Sequence, residues 1–96
     1  MNSYKLSYKA EQDLEDIWVY IAQQNQLAAD KQIAQILNRL PMLAQFPDMG
    51  KTRDDLLQGM RSFPIKPYII YYSKITECIE IFRVLHQSRD VESLFY

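Results

Sequence analysis

The 96-residue chain has one cysteine, one histidine, no long apolar run and almost no excess of charge of either sign. Each shortage narrows what it can be. Cys78 cannot form an internal disulfide and has no companion for a metal site, so it reads as a packing residue where a strand begins. No apolar stretch approaches the roughly 20 residues that a membrane span needs. The opening MNSYKLSYKAEQDL lacks the apolar region of a secretory signal, and cytoplasmic residence is the expectation. The formal net charge is −1 and the pI about 5.7. Proteins that grip nucleic acid through phosphates are usually distinctly basic, so strong direct nucleic-acid binding is not expected. No cofactor and no metal are expected either.

What is present is ordinary globular material, 48% hydrophobic and 24% charged, with no disordered or collagen-like bias. A chain of this length should bury about 60–65% of the surface its unfolded form exposes, enough for one core, and residues 1–96 read as a single domain. Charge is unevenly spread. Up to Asp30 only Lys5 and Lys9 stand against Glu11, Asp13, Glu15, Asp16 and Asp30, so positive charge is weakly enriched later in the chain.

The stretch Tyr68 to Asp90 organises the rest. Two runs rich in β-branched and aromatic residues, Tyr68–Ser73 and Ile79–Leu85, flank a short polar break at Lys74–Glu77. This predicts an antiparallel hairpin at the centre of a sheet, with something packed on each face. Regular alternation would put Ile79, Ile81, Arg83 and Leu85 on one face, and Glu80, Phe82, Val84 and His86 on the other. Upstream, Ser3–Tyr8 alternates like a short edge strand, with Tyr4, Leu6 and Tyr8 on its apolar side. Ala10, Leu14, Ile17, Trp18 and Ile21 recur at helical spacing, with acids in the first turns. Gln23–Gln26 is a polar break in which Asn25 suits a left-handed helix end. A second helix from about Leu27 carries Ala29, Ile33, Ile36, Leu37 and Leu40, with Leu43 and Ala44 extending the stripe. Pro41 predicts a kink or restart within it.

Phe46–Gly50 should end the helical part, and Lys51–Gln58 reads as a charged connector holding a single turn. Gly59–Phe63 should begin the sheet, and Ser62–Pro67 reads as a turn because two prolines do not suit an interior strand. Asp90 can cap a last short helix over Val91–Tyr96. The predicted fold is α+β, in the order β-α-α-β-β-β-(α), a helical hairpin packed on a mostly antiparallel sheet.

This order, and particular words within it, resemble the ParE branch of the RelE/ParE toxin superfamily. The words are AEQDL at Ala10–Leu14 with Ile17 and Tyr20-Ile21, FPDMG at Phe46–Gly50, Arg53, LLQGMR at Leu56–Arg61, YIIYY at Tyr68–Tyr72, and IFRVLH at Ile81–His86 with Arg89-Asp90. Each is weak alone, and together they run the length of the chain in family order. The resemblance implies the toxin half of a type II toxin–antitoxin pair, neutralised by direct binding of a cognate antitoxin. ParE-like toxins poison DNA gyrase, whereas RelE-like relatives cleave mRNA on the ribosome.

The residues favour binding over catalysis. Metal-independent RNA cleavage needs groups that accept a proton, stabilise the charged transition state and protonate the leaving oxygen. The basic candidates are Lys51, Arg53, Arg61, Lys66, Arg83, His86 and Arg89, with Tyr96 at the end of the chain, on a chain that is slightly acidic overall. On regular alternation Arg83 and His86 face opposite ways. His86 reads first as a local hydrogen-bonding residue at a strand end. Arg83, amid apolar neighbours, reads equally as an ion-paired residue or a target contact. Target contact is therefore assigned to Arg53, Arg61, Arg83, Leu94, Phe95 and Tyr96. Antitoxin contact is assigned to Tyr4, Leu6, Leu14, Ile17 and Leu85, where a tail that is disordered alone could add a strand and lay down a helix. A relative that keeps antitoxin binding and has lost toxicity is the third reading.

Overall fold

The computed structural model describes residues 3–94. A five-stranded sheet of order β1-β5-β4-β3-β2 carries two helices on one face. The strands are β1 (Tyr4–Leu6), β2 (Lys51–Thr52), β3 (Met60–Ile65), β4 (Tyr68–Lys74) and β5 (Ile79–His86). The helices are α1 (Tyr8–Ala22) and α2 (Gln26–Gln45). The expected hairpin is β4–β5, interior to the sheet and closed by an Ile75 N–H bond to the Cys78 carbonyl. β1 is an edge strand, parallel to β5, and all other pairings are antiparallel. No helix among the described residues is long and apolar enough to cross a membrane.

The main core lies between helices and sheet. Ala10 and Ile17 of α1 and Ile36, Leu40, Leu43 and Ala44 of α2 bury against Tyr68, Ile70, Tyr72, Ile79, Ile81 and Val84. The far face is sealed separately. There Leu56 from the loop after β2, with Val91 and Leu94, covers Met60, Tyr71, Leu85, Ile69 and Phe82. That loop turns through Gly59 at φ +85°, a conformation glycine adopts at little cost.

Several expectations are corrected. Tyr8 opens α1 rather than closing β1, because Ser7 caps the helix, its Oγ accepting the Ala10 N–H at 2.9 Å. Asn25 does not end α1 in a left-handed turn. It is extended (φ −157°) and caps α2, its Oδ1 accepting from the Ala28 N–H. Pro41 lies inside α2, which runs on to Gln45 with no restart there. β2 is a strand where a connector was expected, and β3 runs on to Ile65 through Pro64. Pro64 is tolerated because β2 pairs only with Arg61 and Ser62, so beyond them the outer side of β3 has no ladder and needs no donor. The turn is confined to Lys66-Pro67, joined by a cis peptide bond. Near the end, a 3-10 turn at Glu92–Leu94 stands where a helix to Tyr96 was expected; Phe95 and Tyr96 lie outside the described residues.

The most consequential correction is a β-bulge. Tyr71 pairs with Arg83 but Tyr72 pairs with Ile81, so Phe82 is an inserted residue. The strict alternation expected of β5 breaks there. Ile79, Ile81 and Val84 all join the helix-side core, while Phe82 and Leu85 join the far one. From Arg83 to His86 the register is regular, so these two still start from opposite faces; Arg83 nonetheless reaches Asp13 of α1, and His86 stacks edge-on against Tyr68, 5.5 Å between ring centroids.

A bulge strands backbone groups that a regular ladder would pair. Here α1 supplies their partners. Ser7 Oγ donates to the Phe82 carbonyl at 2.8 Å, and the Ser7 N–H donates to the Ile81 carbonyl at 3.0 Å. Asp13 Oδ2 accepts the Val84 N–H at 3.0 Å and Arg83 Nε at 2.8 Å, while Oδ1 accepts Arg83 Nη2 at 2.9 Å. The carboxylate is thus fully occupied, which is how an acid can sit buried on the apolar face of α1.

Candidate interaction surfaces

β1 is three residues long and, among the described residues, pairs only with β5, so its outer edge can accept another strand. Beside that edge runs an apolar groove of about 440 Å³ between α1 and α2. Leu6, Leu14, Trp18, Ile33 and Leu37 form its apolar wall, and Glu11 and Glu15 its acidic rim. The helical periods explain this placement. Glu11, Leu14, Glu15 and Trp18 share one flank of α1, and Ile33 and Leu37 one flank of α2. Trp18 Nε1 donates to Asp30 Oδ1 at 2.8 Å, pinning the two helices together across the groove.

Of the residues assigned to antitoxin contact, Leu6 and Leu14 meet in this groove and Tyr4 stands on the adjoining strand. Ile17 and Leu85 do not. They line a different cleft, on the other flank of α1, and both are buried. Trp18, Ile33 and Leu37 are groove residues that the sequence reading placed on the helical stripes without a surface role. Their signal was available, since each apolar stripe is wider than one contact needs.

The arginines assigned to target contact from the sequence are each held by a partner. Arg53 makes two parallel bonds to Asp55 at 3.0 Å, which raises its pKa further above the ordinary arginine range. Arg61 donates to the carbonyls of Gly50 (2.7 Å) and Asp48 (3.2 Å) and lies 3.4 Å from Asp48 Oδ1. Its neighbour Lys74 approaches the same carboxylate at 3.0 Å. The bond from Lys74, more than the charge of Arg61, holds the Asp48 carboxyl below its usual range. Arg83 is the most enclosed, its side chain 13% exposed against 10% for Asp13, and that pairing raises its pKa. The three are tied to three different elements: the loop after β2, the turn after α2, and α1. Leu94 helps cover the far face of the sheet, and Phe95 and Tyr96 lie outside the described residues.

Among the described residues no group of three or more His, Cys, Asp or Glu side chains could hold a metal ion. Tyr72 fixes the turn that carries Asp48. Its hydroxyl donates to the Pro47 carbonyl at 2.7 Å and accepts the Gly50 N–H at 2.9 Å, and burial pushes its pKa up.

Comparison with known proteins agrees with this architecture. Residues 4–91 match the family model described as the ParE toxin of the type II toxin-antitoxin system, parDE. Toxin ParE1 of Caulobacter vibrioides is 33% identical over 94 residues, covering 97% of each chain. Toxin RelE3 of the same organism is 29% identical over 87 residues, covering 90% of this chain and 95% of that one. A solved structure, the chromosomal ParDE TA system from P. aeruginosa, superposes with a TM-score of 0.76 at 25% identity, covering 90% of this chain and 96% of that one. The chain belongs to the ParE toxin family of type II toxin–antitoxin systems.

Proposed function

We propose that this toxin acts in the cytoplasm by binding rather than by turnover, with DNA gyrase as its target. A cognate antitoxin would neutralise it by docking along β1. The observation that carries the antitoxin half is the continuity of the unpaired β1 edge with the groove lined by Leu6, Leu14, Trp18, Ile33 and Leu37. An antitoxin tail can add one strand at the edge and lay the apolar face of a helix in the groove. The acidic rim at Glu11 and Glu15 suits basic residues on that tail.

The binding mode is supported by the state of three of the basic candidates. Arg53, Arg61 and Arg83 are each committed to carboxylate or carbonyl partners, and Arg83 clasps Asp13 of α1. A nuclease would need such groups free to meet a scissile phosphate.

Two reactions on one purified sample test the target. Loss of gyrase supercoiling, with accumulation of cleaved plasmid and an intact reporter mRNA, is the expected result. Codon-spaced cuts in the mRNA with normal gyrase activity would replace this reading with the ribosome-dependent one. The antitoxin half is tested by a folded Leu6→Asp, Leu14→Asp variant, expected to bind the antitoxin at least ~100-fold more weakly. Equal affinity would place the antitoxin elsewhere.

A further inference from the structure

On the flank of α1 opposite the β1 groove, a second cleft of about 690 Å³ opens over the ends of β4 and β5. Its floor is apolar, from Ile17, Ile21, Val84, Leu85 and the buried ring of Tyr68, and the exposed ring of Tyr20 stands along it. The two clefts share no lining residue.

The polar groups around it are mostly donors without acceptors. Gln32 lines the cleft, and its Nε2 is buried with no hydrogen-bond partner among the described residues. His86 Nδ1 accepts the Ser88 N–H at 3.1 Å and lies 2.8 Å from Ser88 Oγ, which leaves the ring proton on Nε2 as a donor. Arg89 is exposed beside it, and no described carboxylate pairs with its guanidinium. Burial first, and Tyr20 second, raise the Tyr68 pKa, so its hydroxyl keeps its proton. The opposite wall differs. Asp16 of α1 presents a carboxylate whose Oδ1 accepts from Gln12 and whose Oδ2 no described residue engages.

A ligand that answers this lining is anionic at one end, flat in the middle and rich in N–H donors at the other. We propose that the cleft binds a mononucleotide, its phosphate held by Arg89 and His86 Nε2, its base against the exposed ring of Tyr20, and the amino edge of the base toward Asp16. Arginine and a ring N–H suit phosphate oxygens, and tyrosine faces suit a base of any kind. A carboxylate matches two adjacent N–H donors, so guanine is preferred over adenine. The nucleotide could be free or the 5′ end of a nucleic acid, since both present the same groups.

The test is calorimetric titration of the purified chain with guanosine 5′-monophosphate, adenosine 5′-monophosphate, guanosine, inorganic phosphate and a 5′-phosphorylated oligonucleotide. The expected result is saturable binding of guanosine 5′-monophosphate, tighter than guanosine or phosphate alone, with a shift of the Gln32 side-chain amide resonance. Arg89→Gln should weaken it about tenfold or more, the usual worth of a charge-assisted bond. Asp16→Asn should abolish the preference for guanine while leaving phosphate binding intact. Tyr20→Ala, at a residue 73% exposed and so safe for folding, should weaken only the ligands that carry a base. An oligonucleotide binding more tightly than the free nucleotide identifies a nucleic-acid end as the occupant; equal or weaker binding identifies the free nucleotide. No saturable binding at millimolar nucleotide, binding indifferent to Arg89→Gln, or phosphate binding as tightly as the nucleotide would overturn the assignment.

Discussion

Replacing Asp13 by alanine removes a carboxylate that serves two customers inside the fold. Arg83 would keep its charge with its side chain 13% exposed, and the Val84 N–H would lose its acceptor. Breaking a buried ion pair on one side typically costs about 3–5 kcal/mol, and a stranded buried N–H about 1–3 kcal/mol. The two losses share one group and do not add, so a loss of about 3–5 kcal/mol in all is expected. Against a typical stability of about 5–15 kcal/mol this is a large share, and it corresponds to a Tm lower by roughly 15–30 °C in a domain of this size. A second variant separates charge from geometry. With Asp13→Leu and Arg83→Met together, no charge is left unpaired and only the Val84 N–H remains stranded, so a loss of about 1–3 kcal/mol is expected. Urea unfolding followed by circular dichroism gives both numbers, provided the m-values agree. The reasoning fails if Asp13→Ala costs under ~1 kcal/mol, or if the double variant is as unstable as the single one.

Two further predictions concern the turn after α2. A Cβ on Gly50 would lie 2.4 Å from the Tyr72 hydroxyl oxygen and 2.9 Å from the Ser62 carbonyl oxygen, so Gly50→Ala should cost about 1–3 kcal/mol by overpacking, read as a lower urea midpoint. Asp48 makes part of the acid-side stability. Its folded pKa lies below the ordinary value of 3.8 through Lys74, so its contribution is complete above that value and is lost as pH falls through the lower one. Lys74→Met should therefore flatten the fall of Tm on acidification below about pH 4, at low salt but not at high salt, because the pair is exposed.

Much of the fold was legible because its strongest signals are local. The β-branched runs of β4 and β5, the stripes of α1 and α2 and the polar break between them each declare an element by period alone. What stayed hidden depends on neighbours. β2 is two residues long, too short to show any alternation. Whether Pro64 can lie in a strand depends on how far β2 reaches, which no property of Pro64 reveals. The Phe82 bulge is a matter of register between two strands, so period-2 bookkeeping misplaced everything after it. One clue was nonetheless present. Ala10, Asp13 and Ile17 share a helical face, and an acid on a buried stripe requires a partner; Arg83, amid apolar neighbours on β5, required one too. The same limit applies to the interaction surfaces. That Leu6 and Leu14 are apolar positions of their elements was legible from spacing, whereas the separation of Ile17 and Leu85 into another cleft follows from which flank of α1 meets which strand.

The brevity of β2 gives the sheet a direction. At that end the outermost strand offers two residues, and the next strand in carries Pro64 where a longer neighbour would seek a donor. An incoming chain finds no continuous ladder to extend. At the other end no strand among the described residues lies beyond β1. The sheet can therefore be extended from one side only, and a strand added beside β1 would complete it rather than begin a fibre.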